Sequence, residues 1–146
     1  MREQDEIAIK HPLKILLVED SPLLRSRLTS MLSQHPELAV TGYAAAEAEA
    51  VNKLSTVAHD ALVVDVELRP GNGISVIRHA RAIANETGDQ PRLPIVVLTN
   101  YDLPIVRERC FLAGADYFFD KMREIDQLVP LLLEIARTFQ ESRSPR

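Results

Sequence analysis

Four uninterrupted apolar residues, Ile15 to Val18, run straight into Glu19-Asp20-Ser21-Pro22. Such a run is too short for a buried helix and suits a strand covered on both faces. Ser21 is of the helix-capping type and Pro22 of the first-turn type, so a helix begins directly after the acids. The strand therefore delivers Glu19 and Asp20 to its carboxyl end, where open parallel sheets place their ligand sites. Like charges at such an edge raise each other's proton affinity unless a cation joins them. Downstream, Asp65 closes the apolar run that starts at Ala61, and Lys121 closes Tyr117-Phe118-Phe119-Asp120. A third acid and an ammonium are thus available at two further strand ends.

The same alternation organises the rest of the chain. Leu24, Leu28, Met31 and Leu32 repeat at helical spacing and predict a helix from Pro22 to about His35. Leu38 to Tyr43 alternates like a strand, and Ala44 to Leu54 reads as a short amphipathic helix. Arg69-Pro70-Gly71-Asn72-Gly73 is a turn-rich loop, not a phosphate cradle, since the P-loop lysine spacing is missing. Ile74, Ile77 and Ile83 mark the next helix, and Asn85 to Pro94 is a polar connection. Ile95 to Leu98 is a fourth strand ending in Thr99. Asp102 is placed to cap a helix over Leu103 to Leu112, with Gly114 as its terminator. Asp116 to Phe119 is a fifth strand, and a last helix runs from about Ile125 to Phe139 with Pro130 in its first turns.

Five short apolar strands alternating with helices predict an α/β fold, a doubly wound flavodoxin-like (βα)5 domain. Right-handed crossovers and converging strand ends favour a parallel sheet in the order 2-1-3-4-5. The chain of 146 residues suits one such domain over 13–140, with a leader at 1–12 and a tail at 141–146. A formal net charge of -4 disfavours a nonspecific grip on nucleic acid or anionic lipid. Cys110 is the sole cysteine, which precludes an internal disulfide and suits a reducing compartment. With no apolar signal core at the start and no run long enough to span a bilayer, a soluble cytoplasmic protein is expected.

Glu19, Asp20 and Asp65 on one small surface form an all-oxygen donor set of the kind that suits Mg²⁺. Lys121 adds a second positive charge and Thr99 a hydroxyl donor. This is a site for a phosphoryl group, where charge neutralisation and positioning carry the reaction. A carboxylate not needed purely as a ligand can act as nucleophile and form an acyl phosphate.

The pattern resembles the receiver domain of response regulators, the phospho-accepting half of two-component signalling, over roughly Leu13 to Phe139. The resemblance rests on Glu19-Asp20 after the first strand, Asp65 after the third, Gly73 eight residues later, Thr99 after the fourth and Lys121 after the fifth. It implies Asp65 as phosphoacceptor from a phosphohistidine on a sensor histidine kinase or histidine phosphotransfer protein. It also implies Asp20, Asp65 and the backbone carbonyl of Glu67 as Mg²⁺ ligands, with Glu19 binding through water. Lys121 would pair with the phosphoryl oxygens. Thr99 and Phe118 would form the conformational switch, although Phe118 is core packing first and lacks the hydroxyl an aromatic switch often carries.

Several positions depart from the family pattern. Met122 stands where a proline usually follows the lysine in a cis peptide, and a non-proline cis bond costs about 3 kcal/mol. A trans or strained loop is expected there. Asn100 replaces a small residue and, with Glu67, is positioned to modulate access to Asp65 and the rate of phosphoryl loss. Arg69 takes the usual place of the loop proline, with Pro70 one position later. Tyr101 and Arg107 read as a solvated face, and the four histidines lack metal-ligand spacing.

Only a helix and a short tail follow Lys121, so a stand-alone receiver is expected, signalling to an unknown downstream protein by contact or by onward phosphotransfer. It would be a phosphoacceptor with slow self-dephosphorylation, not an enzyme. The apolar last helix permits a homodimer. A degenerate receiver that binds its partner independently of phosphorylation is the alternative. A Mg²⁺-dependent phosphohydrolase fits less well, lacking a cap domain and offering only Glu67 as a second acid beyond Asp65.

Overall fold

The computed structural model describes residues 11–87 and 93–143. Five parallel strands, β1 (Leu13–Val18), β2 (Leu38–Ala44), β3 (Ala61–Val64), β4 (Ile95–Thr99) and β5 (Tyr117–Asp120), form one sheet in the order β2-β1-β3-β4-β5. The connecting helices are α1 (Pro22–Ser33), α2 (Glu47–Thr56), α3 (Gly73–Thr87), α4 (Pro104–Ala113) and α5 (Leu128–Arg143). The expected order and parallel pairing are both present.

Alternation along the strands divides the core into two layers. Leu16, Val18, Leu62, Val64, Ile95 and Val97 face α2, α3 and α4, where Ala50, Val76, Ile77, Ala80 and Cys110 meet them. Leu13, Ile15, Leu17, Ala61, Val63, Val96 and Leu98 face the other side, against Leu28 and Leu32 of α1 and Leu128, Leu132 and Ala136 of α5. Burial on both faces explains why β1, β3 and β4 read as continuous apolar runs. β1 and β2 slip register between Ile15 and Leu16, so Gly42, not Thr41, pairs with Leu16.

The local signals at α1 operate as expected: Ser21 Oγ accepts from the Leu24 N–H at 3.2 Å, with Pro22 at the helix start. At α4 they do not. Leu103 is the capping residue and offers no side-chain bond, while Asp102 pairs with Arg107 at 3.5 Å. Gly114 ends α4 with φ +124°, and its N–H donates back into the last turn. A 3-10 turn at Ile125–Gln127 precedes α5, and α5 runs on to Arg143, four residues past the expected end. The expected leader lies almost wholly outside the described residues, as does the centre of the Asn85–Pro94 connection. Among the described residues, no helix is long and apolar enough to cross a membrane.

Candidate acidic phosphoryl and metal site

The sheet order reverses between β1 and β3, which opens a crevice beyond their carboxyl ends. Glu19 and Asp20 follow β1, Asp65 follows β3, Thr99 is the last residue of β4, and Lys121 follows β5. Three of them are pinned by main-chain N–H bonds that extend the sheet ladder. The Glu19 N–H donates to Ala44 O, Asp65 N–H to Val18 O, and Lys121 N–H to Thr99 O, all at 2.9–3.0 Å. The five residues expected at the site therefore stand together although they come from four separate strand ends.

Carboxylate oxygens of Glu19, Asp20 and Asp65 lie within 4.8 Å of one another. Lys121 Nζ sits between two of them, 2.9 Å from Glu19 Oε1 and 2.7 Å from Asp65 Oδ2. Glu19, Asp65 and Thr99 are buried polar groups, so their bonds matter more than surface contacts. The second oxygens are also engaged: Glu19 Oε2 accepts from Ser21 N–H at 3.1 Å, and Asp65 Oδ1 from Glu67 N–H at 3.1 Å. The Arg25 guanidinium donates to the Glu19 carbonyl at 2.9 Å, fixing the acidic turn to α1.

Burial pushes the Glu19 carboxyl above its ordinary value, while hydrogen bonding and charge from Lys121 oppose that rise incompletely. Burial pulls the Lys121 ammonium down, but its bonds to Asp65 and Glu19 outweigh burial and the net shift is upward. The two directions pull the shared proton opposite ways. Two close carboxylates on one ammonium favour the charged lysine, and that is the direction that governs near neutral pH. Asp20 is only half-buried, and no hydrogen bond to its carboxylate occurs among the described residues. Oxygen donors from three acids, one of them uncommitted, match the donor set a hard divalent cation requires.

Gly73 lets α3 begin against the end of β3. A Cβ there would lie 2.0 Å from the Asp65 carbonyl oxygen, and the Gly73 N–H donates to Val66 O at 2.7 Å. Lys121-Met122 is not cis; among the described residues the cis peptide is Arg69-Pro70. The loop after β5 is shaped instead by Asp120, whose Oδ1 accepts from the N–H groups of Met122 at 2.8 Å and Arg123 at 3.1 Å. Asp120 was not singled out from the sequence, yet an acid at a strand end ahead of a turn is the usual signal for such a bond.

Phe118 is buried, with Phe111 at a ring-centroid distance of 6.4 Å and the Arg107 guanidinium 4.8 Å from its ring centre. Arg107 is exposed, as expected of a solvated face, and its guanidinium also covers the Phe118 ring. Tyr101 is likewise exposed, and its hydroxyl donates to Glu67 Oε2 at 3.2 Å. Asn100 is exposed at the start of the same loop. Cys110 is buried, and burial pushes its thiol up to about 11, which suits a packing residue and not a nucleophile.

Residues 15–133 match the family model of the response regulator receiver domain. The chain belongs to that family. Among its relatives, the DNA-binding transcriptional activator DevR/DosR of Mycobacterium tuberculosis is 33% identical over 74% of this chain and 47% of its own length. Protein-glutamate methylesterase/protein-glutamine glutaminase 3 of Anaeromyxobacter dehalogenans is 36% identical over 62% of this chain and 25% of its own. This receiver thus spans about half or less of these two relatives. The receiver domain of a sensor histidine kinase from Pseudomonas aeruginosa, with a magnesium ion coordinated in its active-site cleft, superposes with TM-score 0.72 at 30% identity, covering 87% of this chain and 99% of that one. The response regulator domain of Thermotoga maritima CheB shares the fold with TM-score 0.73 at 22% identity, covering 92% of this receiver and all of that chain.

Proposed function

We propose that this receiver, acting over residues 13–140, accepts a phosphoryl group on Asp65 from a phosphohistidine of a sensor histidine kinase or histidine phosphotransfer protein. The observation that carries the reading is Lys121 Nζ bridging Glu19 and Asp65 within 2.9 Å of each, beside the uncommitted Asp20 carboxylate. An Asp65 oxygen attacks phosphorus, a P–O bond forms, the P–N bond breaks, and its electron pair leaves on the imidazole. Asp20, Asp65 and the backbone carbonyl of Glu67 would hold Mg²⁺, with Glu19 binding through water. The ion supplies neutralisation of the negative charge gathered at the transferring group. Lys121 exchanges a carboxylate oxygen for a phosphoryl oxygen, which its three donors permit.

Thr99 turns its hydroxyl toward the phosphoryl group, and Phe118 repacks under Arg107. Glu67 and Asn100 set how readily water reaches the acyl phosphate, so that self-dephosphorylation is slow. The output is a phosphorylation-dependent contact with a downstream protein or onward phosphotransfer.

Incubation with acetyl phosphate or phosphoramidate and Mg²⁺ is expected to add a single phosphoryl group to the wild type and none to Asp65→Asn, as read by intact mass. Equal labelling of the two proteins rejects the acceptor assignment.

A further inference from the structure

Glu67 stands two residues after Asp65, and Tyr101 two residues after Thr99. The Glu67 N–H donates to Asp65 Oδ1 at 3.1 Å, and the Tyr101 N–H to Thr99 Oγ1 at 3.3 Å. The two side chains then meet, the Tyr101 phenol donating to Glu67 Oε2 at 3.2 Å. Acceptor carboxylate, β3–α3 loop, β4–α4 loop and the buried hydroxyl at the end of β4 are thus joined by one continuous chain of hydrogen bonds. Arg69 steadies the same Glu67 oxygen from solvent at 3.6 Å.

Resting on the phosphoacceptor reading above, we infer that the Tyr101–Glu67 hydrogen bond is a latch that joins the two loops while Asp65 is unloaded and is given up when Asp65 is occupied. Three consequences of loading act on these bonds together. Loading turns the single negative charge at Asp65 into about two, which repels the Glu67 carboxylate. The Asp65 oxygen that accepts the Glu67 N–H must be shared or surrendered. A Thr99 hydroxyl drawn to the phosphoryl oxygens withdraws from the Tyr101 N–H. Both ends of the latch lose support in one event, and a single small switch is enough to open it.

Tyr101 leads through Asp102 to the capping residue Leu103 and into α4, and Leu103 and Ile105 are more than half exposed. Release of the phenol therefore frees the loop that begins this apolar stretch. A bond made in only one of two states biases the equilibrium toward that state. The latch accordingly lowers the apparent affinity of the acceptor for its phosphoryl group, and Tyr101 is a positioning residue that touches neither donor nor metal.

The test uses beryllofluoride, an inorganic phosphoryl mimic, titrated with Mg²⁺ into the wild type, Tyr101→Phe, Glu67→Ala and the double variant. Tyr101→Phe removes one half-exposed hydroxyl and keeps the ring, so the fold is retained. It is expected to tighten beryllofluoride binding about threefold, the effect of losing one modest hydrogen bond from the unloaded state alone. The double variant is expected to bind no more tightly than Glu67→Ala, because both changes break the same bond.

A second readout follows from composition. The chain has no tryptophan and three tyrosines, so its emission reports phenols. A phenol bonded to a carboxylate emits weakly, so loading should brighten the wild type and leave Tyr101→Phe without that gain. Wild-type affinity in Tyr101→Phe, or no emission change in the wild type on loading, overturns the latch while leaving the acceptor reading intact. A wild type that takes up neither beryllofluoride nor a phosphoryl group overturns the acceptor reading, and the latch falls with it.

Discussion

Lys121 holds two buried acids, and burial would otherwise drive Glu19 further toward its neutral form. Removing one partner of such a cluster leaves charge without compensation, which costs several kcal/mol in a closed interior and less where a pocket opens to solvent. Lys121→Met is expected to lose about 2 kcal/mol near neutral pH, with the gap to wild type narrowing as pH falls. The sign follows from the acids: without the ammonium the Glu19 carboxyl rises further, and acid relieves the mutant by protonating it. The lysine side runs the other way. Its folded value is raised, so its contribution is complete below the ordinary lysine range and is lost as pH rises through the raised value. Urea unfolding at neutral and mildly acid pH measures the gap, and a constant gap would deny that Lys121 compensates those carboxylates. At this scale the acids, Thr99 and Lys121 were readable as residue types at strand ends. The partners of Tyr101 and Arg107 were not, because a phenol or guanidinium near a helix start has many exposed rotamers and nothing local selects among them.

Helix α3 shows how an element reaches the site through one missing side chain. Gly73 begins that helix with its Cα against the Asp65 main chain, and the atom a Cβ would strike is backbone oxygen, which cannot swing aside. Gly73→Ala is therefore expected to cost about 3 kcal/mol by overpacking and to slow phosphoryl uptake by displacing Asp65. Thermal unfolding together with the acetyl phosphate assay checks both; unchanged uptake would separate the glycine from the acceptor's position. Helix α1 was legible down to its cap, since Ser21 and Pro22 are adjacent and act locally. Helix α4 was legible in extent but not in its start. Asp102 carries a capping side chain, yet its carboxylate is drawn to Arg107, one turn inside the helix, and Leu103 is left as an unassisted cap. The extension of α5 to Arg143 was missed because its final residues are polar on every side and carry no burial period.

Across the molecule, the crevice exists because β1 and β3 are neighbours while their sequence successors lie on opposite flanks. A cation bridging acids from those two strands ties the halves of the sheet together and so stabilises the folded state by mass action. Mg²⁺ at tenfold its dissociation constant is expected to add about 1.4 kcal/mol and raise the melting temperature by about 5 °C. Asp20→Asn should abolish most of that gain, since the carboxylate it removes is the uncommitted one. An equal gain in both proteins, measured by calorimetry, would take Asp20 out of the ligand set.

The amino-acid order alone was enough for the alternation of strands and helices, the parallel sheet order and the acids and lysine at its rim. Burial on both faces imposes a period that each strand records locally, and chirality then leaves few ways to connect the strands. Folding was required to show that Asp120 shapes the turn after Lys121, that Arg107 covers Phe118 and that Tyr101 meets Glu67. The last two contacts join elements that lie apart in the chain, and the first depends on a turn whose path β5 and α5 impose. Asp120 does carry a local signal, an acid at a strand end ahead of a turn; the other two leave none, because their geometry is set by how elements dock and not by what any single segment prefers.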